Sequence, residues 1–267
     1  MRVVAHKARV LAEVWFAHML VYRAEILIWM LTGATPLIMM AIWIGKAQGG
    51  GGDVGGFSPP EFAAYFLAAW LTQQFIVAWV AWEVDRQIRQ GELSPRLLRP
   101  LDPIWEHVAT HLTERIVRMP FVLLIVLAGV WLVPGTRLTP GLLNVLAYLG
   151  CVALAFAIRF LTAYCIGLLA FWFDHATAID EFYHVLAALL TGSFAPLTFY
   201  PPWAQAIIGW TPFPYLVYYP VRVLTGAASG PEIARIFAVQ VAWLLVLLVA
   251  RALLWRRGLR RYGAVGA

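Results

Sequence analysis

The sequence EVDRQIRQGELSPRLLRPLDP, residues 83–103, opens the longest polar interval of the chain, which extends to residue 118. This interval contains six arginines and no lysine, whereas apolar residues dominate on both sides of it. Of the 267 residues, 62% are hydrophobic and only 13% are charged. Soluble domains are typically about 45–50% apolar and about 25% charged. The composition therefore indicates one all-α integral membrane domain, residues 1–267, with residues 83–118 as its main loop outside the bilayer.

Apolar runs separated by turn signals predict six membrane-spanning helices. They cover residues 26–45, 62–82, 119–133, 142–173, 179–198 and 233–255. Residues 58–61 and 229–232 have the capping-box pattern, which predicts the starts of the second and sixth spans. Pro134-Gly135 is expected to end the third span and Thr139-Pro140 to cap the fourth. Helical periodicity in residues 3–22 predicts that segment 1–25 holds an amphipathic helix in the membrane interface. The alternative is an extension of the first span.

Residues 199–220 are apolar but contain five prolines, which exclude a straight spanning helix. Short broken helices that pack against protein at membrane depth are predicted instead.

The distribution of basic residues predicts the orientation. With the N-terminus inside, the interior segments hold fourteen Lys and Arg: four in residues 1–25, six in the loop and four near the C-terminus. The exterior segments hold at most four. Because basic loops stay in the cytoplasm, both termini and the 83–118 loop are predicted to be cytoplasmic.

Turn signals divide this loop into helices. Gly91 is predicted to end a continuation of the second helix. Ser94-Pro95 is predicted to start a new helix, which Pro100 ends almost at once. Asp102-Pro103 then begins a helix that enters the membrane near Arg118. The loop tip is therefore a helix of about one turn, residues 95–99.

This short helix presents Leu97 and Leu98 between Arg96 and Arg99. A solvated hairpin does not need two leucines at its tip. The pattern predicts that the tip inserts into an apolar cleft of a partner protein, with the arginines meeting acidic residues at its rim.

The sequence contains no enzyme signature. It has no GxxxxGK[ST] phosphate loop, no metalloprotease motif and no GxSxG elbow. His107 and His111, like Asp180 and His184, are four residues apart, a spacing that could hold a metal; a solvated helix face is the favoured interpretation, and no metal site is predicted. Cys151 and Cys165 lie in apolar runs and are interpreted as small core residues.

Arg159 lies about midway along the fourth span, where an unpaired charge is costly. It either lines a transport path or clamps helices through carbonyl groups or through Gln73 or Gln74. The two glutamines in turn either join helices through hydrogen bonds or contact a substrate. Both alternatives are open for all three residues.

Several motifs resemble the ABC-2-type exporter permeases, in the branch that contains proteins proposed to export viologens and drugs. The motifs are Gly91-Glu92-Leu93 with LLRPLDP (97–103), SFAPL (193–197), FYPPW (199–203), TPFPY (211–215) and WRRGLRRY (255–262). The resemblance covers essentially the whole chain.

The resemblance implies a permease that pairs with itself or with a related permease and moves a small, amphiphilic or hydrophobic substrate out of a bacterial cytoplasm. A separate ATPase dimer would bind ATP and Mg, so this chain needs no cofactor and no nucleic acid. The implied ATPase contacts are Gly91, Glu92, Ser94, Arg96, Leu97, Leu98, Arg99 and Pro100. The implied extracellular gate is Pro201, Pro202, Trp203, Pro212, Phe213 and Pro214. Arg159, Gln73 and Gln74 are the candidates for the substrate path.

Two other functions are weighed against this one. A channel or membrane assembly factor would work without an ATPase. A membrane enzyme of lipid metabolism would need acidic clusters or paired histidines, and only His107 and His111 offer such a pair.

Overall fold

The computed structural model describes residues 33–136, 138 and 141–262 of the chain. Regular structure within these ranges is helical, apart from one bridge between Val54 and Phe57. The α-helices are α1 (Thr35–Gly49), α2 (Pro59–Ile76), α3 (Val80–Arg89), α4 (Ser94–Leu97), α5 (Ile104–Leu132), α6 (Leu142–Leu168), α7 (Ala176–Leu190), α8 (Pro202–Ile208), α9 (Tyr218–Leu224) and α10 (Gly230–Arg261). Short 3-10 turns occur at Leu169–Phe171, Leu197–Phe199 and Phe213–Tyr215.

Four helical segments are long and apolar enough to cross a membrane: Pro59–Arg89, Ile104–Leu132, Leu142–Phe171 and Gly230–Arg261. The prediction of an all-helical membrane fold is thereby confirmed. Helices α1 and α7 have 15 residues each. At about 1.5 Å per residue they are about 22 Å long, shorter than the ~30 Å hydrocarbon core. The count of six spans therefore stays a prediction.

Helix α2 is the centre of the fold. Every residue from 62 to 71 is buried, and α1, α5, α6 and α9 pack around them. Helix α10, by contrast, packs along α6 on one side and exposes apolar residues such as Leu245 and Val249 on the other. Burial by neighbouring helices fixes α2 in place, while the exposed sides of α5 and α10 are suited to lipid or to another subunit.

Several predicted helix ends are confirmed. The Ser58 N–H donates to Glu61 Oε2 at 2.8 Å, so the predicted capping box starts α2. Helix α5 ends at Leu132 and is followed by Gly135 with φ of +86°, in agreement with the predicted stop at Pro134-Gly135. Three predicted features lie outside the described residues. They are the interfacial helix within residues 1–25, the early part of the first predicted span and the Thr139-Pro140 cap.

The predicted second span, residues 62–82, is wrong as a continuous helix. Helix α2 ends at Ile76 and α3 begins at Val80, so residues 77–79 form an irregular connection, called the break below. The break contains neither glycine nor proline, and it is held open by side chains from other helices, as described in the next subsection.

Other boundaries also differ from the predictions. The first span was predicted to end at residue 45, but α1, which has Pro36 in its first turn, continues to Gly49; its predicted start lies outside the described residues. The fifth span was predicted to reach residue 198, but α7 ends at Leu190. The left-handed backbone of Gly192, with φ of +89°, explains this end.

The capping box predicted for the sixth span is wrong, although α10 does begin at Gly230. The carboxylate of Glu232 accepts hydrogen bonds from Arg222 Nε at 3.1 Å and Arg222 NH2 at 3.0 Å. This two-point bond to a guanidinium is stronger than a bond to one backbone N–H, so Glu232 does not turn back to cap its own helix.

Candidate functional site

The tip, residues 91–103, is built from local turn chemistry. Gly91 has φ of +76° directly after the end of α3, and Pro95 stands in the first turn of α4. Helix α4 covers Ser94–Leu97, a single turn as predicted, although it ends two residues before the predicted end at residue 99. Leu93 is buried against the second apolar cluster of the molecule, so the turn is anchored on one side.

The opposite side of the tip exposes apolar residues. Leu98 is 88% exposed and Leu97 is 38% exposed. Two residues that the sequence did not single out, Leu101 and Trp105, are 44% and 57% exposed. These four residues are called the tip patch. A concentration of exposed apolar side chains on a hydrophilic loop marks an interaction surface. A tryptophan in the first turn of the helix after Asp102-Pro103, next to the polar loop, was the signal that could have identified Trp105.

The two tip arginines are paired within the chain. Arg96 NH1 and Arg99 NH1 donate to the two oxygens of the same carboxylate, Glu106 in the first turn of α5. A contact of these arginines with acidic residues of a partner stays a prediction. Within the chain, the two arginines bind α4 to α5, and Arg99 keeps 61% of its side chain exposed.

The remaining polar residues of the tip also have internal partners. Glu92 forms an ion pair with Arg86 at 3.2 Å. The Ser94 hydroxyl lies 3.1 Å from the Tyr262 hydroxyl, which follows the end of α10. Asp102 accepts a hydrogen bond from Arg251 of the same helix. The tip is thus joined to α3, α5 and α10, and its leucines are left free to contact another molecule.

The break, residues 77–79, is the second feature of the site. Loss of helical pairing leaves backbone carbonyl groups without an N–H partner, which is costly when they are buried. Arg115 of α5 supplies the missing donors. Its guanidinium donates to the carbonyl oxygens of Phe75 and Val77, and also to that of His111 in its own helix.

The backbone and side chain of Trp79 are held by α5 as well. The Trp79 N–H donates to His111 Nε2 at 3.3 Å, and its indole N–H donates to Glu114 Oε2 at 2.9 Å. His111 Nδ1 lies 2.8 Å from the His107 carbonyl, which requires the proton on Nδ1 and leaves Nε2 as the acceptor. Both histidines are buried, so the interpretation of His107 and His111 as a solvated helix face is wrong.

A buried arginine–carboxylate pair lies beside the break. Arg118 donates to Glu114, one turn earlier in α5, and to Gln74 Oε1 at 3.3 Å. Gln73 donates to the Ser193 hydroxyl at 2.6 Å, which joins α2 to the segment after α7. Both glutamines therefore form hydrogen bonds between elements of the chain.

Arg159 of α6 connects the break to α7. Its NH2 group donates to the Ala78 carbonyl at 3.3 Å and to His184 Nε2 at 2.8 Å. Its NH1 group lies 3.9 Å from Asp180 Oδ1, and the guanidinium lies 4.6 Å from the centre of the Tyr183 ring. The side chain is only 7% exposed. Arg159 is bonded to a carbonyl and to α7, and its partners do not include Gln73 or Gln74.

No group of three or more metal-ligating side chains occurs among residues 33–136, 138 and 141–262. Cys151 is buried, Cys165 is partly buried, and both are free thiols.

Comparison with known proteins decides the family. The model of the ABC-2 family transporter proteins matches residues 29–266. The chain belongs to this family. No curated protein and no solved structure matched the chain. Membrane subunits of this family are transporter components that work with an ABC ATPase, and they are not themselves enzymes.

At the end of the permease opposite to the tip, residues 199–220 form α8, a 3-10 turn and the start of α9. A cavity of about 210 Å³ lies here, lined by Leu197, Gln205, Gly209, Pro214, Tyr218, Tyr219, Arg222 and Glu232. Of the six predicted gate residues, Pro201, Pro202 and Trp203 are exposed on the surface. Pro212 and Phe213 are partly buried and Pro214 is buried. Phe213 lies 5.3 Å from Tyr183, measured between ring centres, which brings this region into contact with the Arg159 group.

Proposed function

We propose that this chain is the membrane subunit of an ATP-driven exporter and that a separate ATPase subunit docks on the tip patch. One observation supports this most directly: Leu98 is 88% exposed on a turn whose polar neighbours are paired within the chain. Such a surface is completed by an apolar pocket, and apolar anchors in pockets dominate the energetics of protein interfaces.

The tip is connected firmly enough to transmit force. Leu93 is buried beneath it, and Arg96 and Arg99 hold α4 on α5. Gly167 of α6 permits a very close approach of α3, since a Cβ atom there would lie 2.9 Å from the Ala81 carbonyl oxygen. Displacement of the tip by a closing ATPase therefore moves α3 and the first turns of α5 together.

The break is the proposed joint of this lever. The angle between α2 and α3 can change there at low cost. Residues 77–79 belong to no helix, so no hydrogen bond within a helix has to be broken. Arg115 and Arg159 keep the exposed carbonyl groups bonded while the angle changes, since each guanidinium offers several donors.

The substrate path is proposed to run along α7. His184 is 55% exposed although it lies on an apolar helix, and Glu181 next to it is also exposed. Lipid is a poor environment for both side chains, which favours a water-filled path or a second permease copy on this face. Arg159 bonds to His184, and Gln73 of α2 bonds to Ser193 just after α7.

The remaining features complete the proposal. Two copies of this chain, or this chain and a related permease, enclose the path, and residues 199–220 with the adjoining cavity form the outer gate. The substrate is small and amphiphilic or hydrophobic, and the protein resides in a bacterial cytoplasmic membrane with both termini inside.

The decisive experiment replaces Leu97 and Leu98 together by Asp. The variant is expected to fold and to reach the membrane, because exposed leucines contribute little to stability. It is expected to lose both the co-purifying ATPase subunit and ATP-dependent transport into inverted vesicles. Leu98→Met, which keeps the apolar surface, is the matched control and is expected to retain both. If the double Asp variant keeps the ATPase subunit and transports normally, docking on the tip patch is wrong. If no ATPase is ever retained, a channel or an assembly factor is the better assignment.

A further inference from the structure

The last two turns of α10 carry two different faces. Gly258 is buried against Phe171, and the ring of Tyr262 lies 5.9 Å from the ring of Phe171. Arg251, two helical turns before Gly258 on the same side, pairs with Asp102 of the tip. This side of the helix is therefore occupied by the rest of the chain.

Four arginines occupy the other side. Arg256, Arg257, Arg260 and Arg261 are all exposed. At 100° per residue they fall within one arc of about 140°. Within the described part of the chain, none of them has an acidic side chain at salt-bridge distance, in contrast to Arg251. We call these four residues the basic face.

The basic face continues an exposed apolar stripe. Leu245, Val249 and Leu253 are 57%, 60% and 48% exposed and stand four residues apart on α10. The next positions on the same line are Arg256 and Arg260. From Leu253 to Arg260 the helix rises about 10 Å, which is comparable with the depth of the headgroup layer outside the hydrocarbon core.

We propose that the basic face binds the phosphate groups of anionic phospholipids in the leaflet next to the tip. The apolar stripe fixes which side of α10 contacts the acyl chains, and the arginines extend that side to the depth of the headgroups. Guanidinium groups form paired hydrogen bonds with phosphate oxygens, and basic clusters directly beyond a spanning helix attract anionic lipid. Because the same helix end bonds to Ser94 and Asp102, bound lipid also holds the base of the tip at the membrane surface.

The test titrates the purified full-length chain with phosphatidylglycerol and, separately, with phosphatidylcholine, and counts bound lipids by native mass spectrometry. Arg256→Gln combined with Arg260→Gln is expected to weaken phosphatidylglycerol binding roughly thirtyfold and to leave phosphatidylcholine binding unchanged. The matched control, Arg89→Gln combined with Arg99→Gln, removes the same charge from arginines that are paired within the chain, and is expected to bind phosphatidylglycerol like the wild type.

Two results would overturn the proposal. One is unchanged phosphatidylglycerol binding in the Arg256/Arg260 variant, which would assign the basic face to an acidic protein partner. The other is an equal loss in the control variant, which would show a general effect of net charge. If the first variant fails to fold, Arg257→Gln combined with Arg261→Gln tests the same face and has the same two overturning results.

Discussion

The tip and the break are two interruptions of the same helical run, and they are built in opposite ways. The tip is exposed, and glycine and proline at positions 91, 95 and 100 shape it. The break buries only its central residue, Ala78, contains neither residue type, and is held by Arg115 and Arg159 from two other helices. The tip therefore depends on local sequence and can contact a partner without disturbing the core. The break depends on tertiary contacts, so its angle is set by how α5 and α6 are placed.

The largest expected effect is at the break. Arg115→Ala removes the donors to the carbonyl groups of Phe75 and Val77, which have no helical partner; the His111 carbonyl keeps its bond within α5. At about 1–3 kcal/mol for each of the two unsatisfied groups, the free energy of unfolding should fall by about 2–6 kcal/mol. Denaturation of the detergent-solubilised chain measures this. Arg115→Lys should recover only part of the loss, because an ammonium cannot reproduce the planar fork. A stable Arg115→Ala variant would show that the break does not depend on this side chain.

Arg159→Ala is expected to have the next largest effect. It leaves the Ala78 carbonyl and His184 Nε2 without a donor and Asp180 without its nearest cation, so we expect a loss of about 2–3 kcal/mol. Measuring both unfolding and transport of the Arg159→Ala variant distinguishes the two roles of Arg159. If Arg159 is mainly a clamp, yield and transport should fall together. A fall in transport with unchanged unfolding would instead favour a role in the substrate path.

The contact between α3 and α6 gives a smaller effect. Gly167→Ala places a methyl group 2.9 Å from the Ala81 carbonyl oxygen, a backbone atom that cannot easily move, and should cost about 1–3 kcal/mol. Gly258→Ala would place a methyl group 2.7 Å from Cγ of the buried Phe171, an atom that ring rotation does not move, and should cost a similar amount. Gly45→Ala, with no heavy atom within 4 Å, is the control. Thermal unfolding of the three variants measures this order, and an equal stability of all three would contradict the close packing.

The smallest effect is expected at the tip. Tyr262→Phe and Ser94→Ala each remove the hydrogen bond between the two hydroxyls and should cost about 0.5–1 kcal/mol. The double variant should be no less stable than either single variant, because both remove the same bond. Additive losses in this double-mutant cycle would mean that the two hydroxyls act separately.

Local chemistry explains which parts of the fold the sequence could predict. Ser58 with Glu61, Gly91, and Pro134-Gly135 each determine the backbone within a few residues, and each marks a helix end in the structure. Gly192 is a similar local signal for the end of α7. The apolar residues around it led to a predicted fifth span that reached residue 198, beyond the end of α7 at Leu190.

The break could not be predicted in this way. Residues 76–82 read IVAWVAW, which is as suitable for a continuous spanning helix as any stretch of the chain. The carbonyl groups left open there are bonded by Arg115, which is distant in sequence. The same reasoning applies to Glu232: its capping pattern is correct locally, but Arg222 offers a stronger partner once α9 and α10 come together. In both cases the missing information was the partner that an arginine finds at a position distant in sequence.

Helix α10 has 32 residues, about 48 Å of uninterrupted helix. Its first turn is bonded to Arg222 beside the 210 Å³ cavity, and its last turns are bonded to Asp102 and Ser94 of the tip. A continuous helix that is bonded to other elements at both ends is expected to tilt as one body. A rotation of about 10° around its middle would shift each end by about 4 Å in opposite directions. If a partner pushes the tip as proposed, α10 offers a second connection to the cavity side of the membrane that does not pass through the break.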